Sequence, residues 1–402
     1  FPQFLWANSL VLSFQDCVLI PMDEFRILQT KPSLGLIDLG MGNPDTRLLP
    51  VESIRRSAEE YFAGGDPRPL QYGTEQGDGY FRAALADFLT TAYGVPVGPE
   101  QLFITAGASS ALDLLCTHYT RSGDVVFVEE PTYFLALRVF DDHGLRVVPL
   151  PMDEDGLRSD ALDEALRHYR PKFLYTVPTF QNPSGRTLSQ TRRETLVEIA
   201  QRQNFFLVAD EVYHLLPYTQ TPPKPFAAYA KDAAHVFSIN SFSKILAPGL
   251  RLGWIQVHDR VIQRLAGSGL LDSGGGLAPF TSALLRDLIE SGGLAENIAR
   301  LRWEYARRRD VMEGALRQYL PQAEYHQPQG GFFFWARLPG ENTGELRPTA
   351  QEHQVDFRPG TLFSANQGMR EYMRLCFAYY QPDKLKEGVK QLRQTLNASN
   401  AF

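Results

Sequence analysis

The segment SINSFSKILAPGLRLGW, residues 238–254, sets Lys244 directly after Ser243 and three positions after Ser241, with Arg251 seven positions further on. A lysine among glycine, proline and apolar residues can snorkel, burying its methylene stem while the ammonium stays in water. Held in a partly desolvated pocket instead, the amine gives up its proton more readily and becomes a nucleophile able to form a Schiff base with a carbonyl. The choice between these readings depends on partners elsewhere in the chain.

Four stretches offer such partners. In QLFITAGASSAL, Gly107, Ala108, Ser109 and Ser110 fall between a strand pattern and a helix start. Free backbone amides and the helix dipole there favour an anion such as a phosphate, although such a turn alone is also an ordinary N-cap. The hydroxyls of Ser241 and Ser243 and the Arg251 guanidinium would bind the same phosphate from the other side. FFLVADEVY runs an apolar strand into Asp210, with Tyr213 three residues on. A carboxylate at the end of such a run needs a partner, and a protonated heterocyclic nitrogen is one. VPTFQNPSG places Asn182 on a turn made by Pro183 and Gly185, either as a plain turn residue or as an amide bonding a ring oxygen. EEPTYF brings Tyr133 to a strand end, either to pack in the core or to stack on a planar ligand.

A phosphate anchor, a ring-nitrogen partner, ring-oxygen donors, a stacking ring and a lysine are together what pyridoxal 5′-phosphate requires. In order and spacing, GASSAL, PTY, NPSG, ADEVY, SFSK and GLRLGW resemble the fold type I aminotransferases of class I/II. The likeness is to the branch with 2-aminoadipate and aromatic aminotransferases and the aminotransferase-like part of MocR regulators. It covers roughly residues 35 to 395, and the combination is specific where each motif alone is not.

The resemblance implies that Lys244 forms the Schiff base with pyridoxal phosphate and shuttles a proton at the substrate α-carbon. It implies that Asp210 keeps the pyridine nitrogen protonated, that Asn182 and Tyr213 bond the phenolic oxygen, and that Tyr133 stacks on the ring. Ser109, Ser110, Ser241, Ser243 and Arg251 would hold the phosphate. Tyr72, in LQYGTEQGDGYFR, matches a tyrosine lent across a homodimer interface to the neighbour's cofactor phosphate. Arg374, in MREYMRLCFAYY, stands where the substrate α-carboxylate binds, a planar anion suited to a guanidinium fork, with Asn182, Gly42 and Asn43 nearby.

These residues need elements to position them. Between residues 80 and 260 short β-rich runs alternate with amphipathic helical patterns. That alternation predicts an α/β fold with a mostly parallel sheet between helices and ligands outside the strand ends. The first helix, GYFRAALADFL, is read with Tyr80, Phe81, Ala84, Leu85 and Phe88 on one face. From about Pro279 to Leu320 the pattern turns helical, and the remainder reads as a smaller α+β lobe. The expected division is an N-terminal arm with part of the small domain over 1–50, a large cofactor-binding domain over 51–299 with a seven-stranded sheet, and a small domain over 300–402.

Bulk properties narrow the partners. With 402 residues, 44% of them apolar and 21% charged, the chain reads as an ordinary globular protein of two lobes. Its formal charge of -6 contains no long single-sign run, which disfavours nucleic acid and acidic membrane surfaces. Cys17, Cys116 and Cys376 are far apart and lack metal-ligand spacing, so neither a disulfide framework nor a metal site is expected and a reducing cytoplasm is the default. The apolar stretch over 1–22 lacks a basic leading region and is broken by Gln3, Asn8, Gln15 and Asp16, so it reads as a packed arm or a disordered end.

Three functions compete. The leading one is transfer of an amino group between an α-amino acid and a 2-oxo acid. The second is another pyridoxal phosphate reaction on the same scaffold: elimination, replacement, decarboxylation or carbon-carbon bond formation. The cofactor motifs do not separate the two, because all begin at the same α-carbon. The third, a MocR-type regulator, needs a winged helix-turn-helix before LIDLGMGNPD, where about 35 residues without a basic recognition helix stand. No Walker A, dinucleotide-binding or nucleophile-elbow pattern is present. Ala278 and Pro279 stand where relatives often carry a polar residue, in a loop expected to approach the partner's site.

Overall fold

The computed structural model describes residues 35–399. The N-terminal arm read over 1–22, and Cys17 within it, lie outside the described residues. In chain order the elements begin with β1 (Ile37–Asp38), α1 (Val51–Ala63), α2 (Gly79–Tyr93), β2 (Leu102–Thr105), α3 (Ala108–Tyr119), β3 (Val125–Glu130), α4 (Phe134–Asp142) and β4 (Arg146–Asp153). They continue with β5 (Gly156–Leu157), α5 (Ser159–His168), β6 (Pro171–Thr176), α6 (Gln190–Gln203), β7 (Phe206–Asp210), β8 (Val236–Ser241) and β9 (Gly253–Val257). After these come α7 (Asp259–Ala266), α8 (Gly269–Gly274), α9 (Pro279–Glu290), α10 (Gly293–Tyr319), β10 (Glu324–Tyr325) and β11 (Phe333–Arg337). The last described elements are α11 (Thr343–Glu352), β12 (Val355–Asp356), β13 (Arg358–Pro359), β14 (Tyr372–Cys376) and α12 (Pro382–Ser399).

The main sheet runs in the order β2-β9-β8-β7-β6-β3-β4-β5. Strands β8, β7, β6, β3 and β4 are parallel to one another, and β9 joins β8 to β2 antiparallel to both. Strands β7 and β8 are apolar or buried along almost their whole length because helices cover both faces. Seven strands are expected, and among the described residues this sheet has eight. The additional one, β5, is a two-residue return that pairs antiparallel with the end of β4, too short to show a periodicity of its own.

A second sheet, β10-β11-β14-β13, is antiparallel, and β1 pairs with β12 in a separate two-stranded ladder. Residues near the start of the described chain are thereby fastened to a strand near its C-terminal end. Helix α2 buries Phe81, Ala84 and Leu85 as expected, but Tyr80 is 69% exposed. One residue is about 100° of helical rotation, which turns Tyr80 off the core face. Its ring meets the Arg286 guanidinium at 5.6 Å instead. Among the described residues no helix is long and apolar enough to cross a membrane.

Candidate active site

A cavity of about 590 Å³ is walled by the C-terminal ends of the main-sheet strands and by the small sheet. Into its wall come Lys244, Asp210, Asn182, Tyr133, Tyr213, Ser109, Ser241, Ser243, Arg251, Gly42, Asn43 and Arg374. Two of the expected residues are not there. Ser110 follows Ser109 on α3, and the helical turn between them carries its side chain away from the opening. Tyr72 is 80% exposed and outside the cavity, beside the 275–279 segment; a Cβ on Gly275 would lie 2.9 Å from that of Tyr72. Ala278 caps α9 with a left-handed backbone, φ 51°, directly before Pro279.

Strand β8 ends at Ser241, and the turn after it aims Lys244 inward. The half-buried lysine donates from Nζ to the carbonyl of Gly42 at 3.1 Å, and Nζ lies 5.6 Å from the Phe332 ring centroid. Burial brings its pKa down to about 8; Arg374 and Arg251 push the same way, and Cys376 and Asp210 oppose them. The amine is therefore neutral for a useful fraction of the time near physiological pH.

Asp210 closes β7, whose buried Leu207 and Val208 are each worth about 1.5–3 kcal/mol and so help fix the carboxylate at the cavity wall. Its Oδ2 accepts from the Tyr175 hydroxyl at 2.8 Å, while Oδ1 is buried with no hydrogen-bond partner. Burial raises its pKa to about 6 despite the Tyr175 bond, the Val212 amide and the Lys244 charge. Such an orphaned oxygen fits a cationic ring N–H, which would satisfy it and restore the ionised form.

Close backbone approaches build a cradle of donors. Gly107 has φ 93° and precedes α3 with no side-chain cap, leaving the first amides of the helix free. A Cβ at Gly107 would come 3.0 Å from the Arg251 Nη2, so glycine leaves room for that guanidinium. Arg251 adopts a left-handed backbone, φ 46°, and its Nη2 donates to the Ala106 carbonyl at 3.1 Å. Ser241 and Ser243 stand side by side with hydroxyls 2.8 Å apart. Amides, hydroxyls and one guanidinium around a single opening suit a phosphate dianion.

Arg374, on β14, is 3% exposed, with Nη1 donating to Asn182 Oδ1 at 2.9 Å and Nη2 to the Gly40 carbonyl at 2.7 Å. Its guanidinium lies 4.1 Å from the Phe333 ring centroid and 4.9 Å from that of Phe363. Its Nε is buried without a partner, and among the described residues no carboxylate pairs with it. Burial lowers its pKa to about 10. A buried cation with spare donors and no counter-ion is costly until an anion arrives. The bond from Arg374 occupies the Asn182 oxygen and leaves the amide nitrogen to donate, as a ring-oxygen partner requires.

Beneath the Asn182 turn, Gln181 donates to Glu129 Oε2 at 3.1 Å and to the Pro131 carbonyl at 2.7 Å, and its oxygen accepts from the Ser184 amide at 2.8 Å. One side chain thus ties the turn to the loop that presents Tyr133. The sequence reading missed Tyr175, the Gly40 carbonyl and the rings around Arg374. Tyr175 stands in register with Val208 on the neighbouring strand, two residues before Asp210, so strand pairing was the signal that could have found it.

The chain resembles known proteins along almost its whole length. The family model for aminotransferase class I and II matches residues 35–392. Aromatic-amino-acid aminotransferase 1 of Thermococcus litoralis is 34% identical over 380 residues, which is 92% of this chain and 90% of that protein. The crystal structure of a multiple substrate aminotransferase from Thermococcus profundus superposes with a TM-score of 0.86 at 32% identity, over 95% of this chain and all of that one. That of the alpha-aminoadipate aminotransferase from Thermus thermophilus, complexed with N-(5′-phosphopyridoxyl)-L-leucine, gives 0.83 at 30% identity, over 91% and 93% of the two chains. The fold agrees with these likenesses, and the chain belongs to the class I and II aminotransferases.

Proposed function

We propose that Lys244, Asp210 and Arg374 do the chemistry of this pyridoxal-phosphate-dependent aminotransferase, which exchanges an amino group between an amino acid and a 2-oxo acid. When bound, the cofactor's ring takes up the electron pair left as a proton departs from the substrate α-carbon. Arg374 forks the α-carboxylate, with Asn182 and the Gly42 backbone beside it. Held there, the α-carbon faces Lys244, whose Nζ would remove the proton and pass it on to the cofactor. Asp210 Oδ1 accepts the ring N–H and keeps that nitrogen charged. Tyr133 stacks on the ring, and Asn182 and Tyr213 serve its oxygen. The α3 amides, Ser109, Ser241, Ser243 and Arg251 hold the phosphate; Ser110 contributes through its place in that helical turn. Phe333, Phe363 and Phe134 around Arg374 exclude water and so strengthen its hold on an anion.

The observation that carries this reading is the unpartnered, buried Oδ1 of Asp210 in the same cavity as Lys244 and Arg374. An Asp210→Asn variant is expected to keep the cofactor through Lys244 and the cradle yet lose about a hundredfold in turnover, the effect of removing one electrostatic stabiliser. Turnover unchanged in a fully loaded variant would sink the assignment.

We also propose a homodimer in which Tyr72 reaches the neighbour's phosphate. In support, Val51, Phe62, Leu70, Tyr72 and Leu270 are between 62% and 80% exposed, apolar surface that a second copy could cover. A monomer mass by sedimentation, with full activity at the same concentration, would remove this proposal.

A further inference from the structure

Arg374 shares the cavity wall with a second guanidinium that the sequence reading did not single out. Arg358, on β13, is 5% exposed, lines the same cavity and stands directly opposite Arg374 in the β13–β14 ladder. Like charges placed opposite each other on one face of a sheet repel, and the Arg358 charge is among the causes that lower the Arg374 pKa.

What separates the two is their counter-ions. Asp38, on β1, forks Arg358, with Oδ1 3.0 Å from Nη1 and Oδ2 2.8 Å from Nη2. The Asp38 Oδ1 also accepts from the Gly40 amide at 2.8 Å, and the Gly40 carbonyl accepts from Arg374. A Cβ on Gly40 would fall 2.7 Å from the Arg358 Nη1, so this bare stretch of backbone packs directly on Arg358. Asp356 offers Arg358 one contact at 3.4 Å and is itself forked by Arg347 at 2.7 and 2.9 Å. Arg358 therefore sits in the wall neutralised, while Arg374 lacks an acidic partner among the described residues. Elsewhere the wall includes Met41, Leu112, Leu135 and Val139, all apolar.

We infer that Asp38 is a specificity-determining residue: by masking Arg358 it leaves the cavity one open guanidinium for carboxylates, so the site favours amino acids and 2-oxo acids with uncharged, apolar side chains over those with a second carboxylate. The inference rests on Arg374 as the seat of the α-carboxylate. Asp38 touches no substrate atom in this account; it acts by holding Arg358.

The test uses two non-reacting acids of similar size, 4-methylvalerate with one carboxylate and glutarate with two, titrated calorimetrically into the pyridoxal phosphate-loaded protein. The native protein should bind 4-methylvalerate more tightly. Asp38→Asn should move the ratio of dissociation constants toward glutarate by about tenfold or more, as a buried cation gains an anionic partner. Adding Arg358→Met to Asp38→Asn should return the ratio to its native value, a reversal that a merely structural role for Asp38 does not produce. An unmoved ratio in Asp38→Asn overturns the inference. So does selective loss of glutarate binding in the Asp38→Asn/Arg358→Met double variant relative to the native protein, which removes both charges together and decides the matter even if Asp38→Asn alone does not fold. If both acids bind Arg374→Ala as tightly as they bind the native protein, the carboxylate seat fails and this inference falls with it.

Discussion

Replacing Lys244 with alanine is expected to lower turnover by more than about 10⁴-fold, beyond the upper range for losing a general acid-base group, because the covalent anchor goes with it. The variant should still take up pyridoxal phosphate, since the cradle at Gly107, Arg251 and the two serines and the free Asp210 oxygen remain. The lysine also sets a pH dependence. Its neutral form is the nucleophile, and its pKa lies near 8, so the neutral fraction falls about tenfold for each pH unit below that value and saturates above it. Uptake of pyridoxal phosphate by the stripped native protein, followed by absorbance, should accelerate from pH 6 to about 8 and then level off. Normal turnover in Lys244→Ala would remove the mechanism; a pH-independent uptake rate would remove the account of why this amine is reactive.

The second large effect belongs to Arg374. Its alanine variant should bind carboxylated substrates about 2 to 5 kcal/mol more weakly, the cost of deleting one side of a buried charge pair, which is roughly 30-fold to several thousandfold in affinity. The loss should fall on kcat/KM for the amino acid and the 2-oxo acid alike, because both present the same carboxylate to the same fork. Arg374→Lys should recover only part of it: the charge survives, but the planar fork that also holds Asn182 and Gly40 does not. An Arg374→Ala variant with native substrate affinity would move the carboxylate seat to another part of the cavity.

The features legible in the sequence were those carried by residues close together in the chain or at strand ends. Ser241, Ser243, Lys244 and Arg251 span eleven positions of one strand-turn-strand segment, so their order alone placed a phosphate contact beside an amine. The strand-helix alternation gave the parallel sheet, and Asp210 was found because a carboxylate closing an apolar strand demands a partner. Arg374 came from resemblance, since no spacing relates it to a lysine 130 positions earlier.

What stayed hidden depends on register. Tyr175 reaches Asp210 only because β6 and β7 pair as they do, and Arg358 becomes the neighbour of Arg374 only through the β13–β14 ladder. A shift of one residue in either pairing would turn those side chains to the other face, and single-strand patterns carry no record of it. Tyr80 failed for a related reason: an aromatic one position from a core residue is at the edge of the helical face, where burial is decided by what packs there. The Asp38–Arg358 pair joins residues 320 positions apart, and each alone reads as an ordinary surface charge.

The reaction assigned to this cavity moves an amino group between the amino acid and the cofactor. The direct measurement loads the native protein with pyridoxal phosphate and adds an apolar amino acid without any 2-oxo acid acceptor. Cofactor and small-molecule products are then quantified together, with Lys244→Ala as control. One equivalent of pyridoxamine phosphate and one of the matching 2-oxo acid per site are expected, then no further product until an acceptor is added. Repeated turnover to a different product, with pyridoxal phosphate regenerated and no acceptor present, would contradict that assignment.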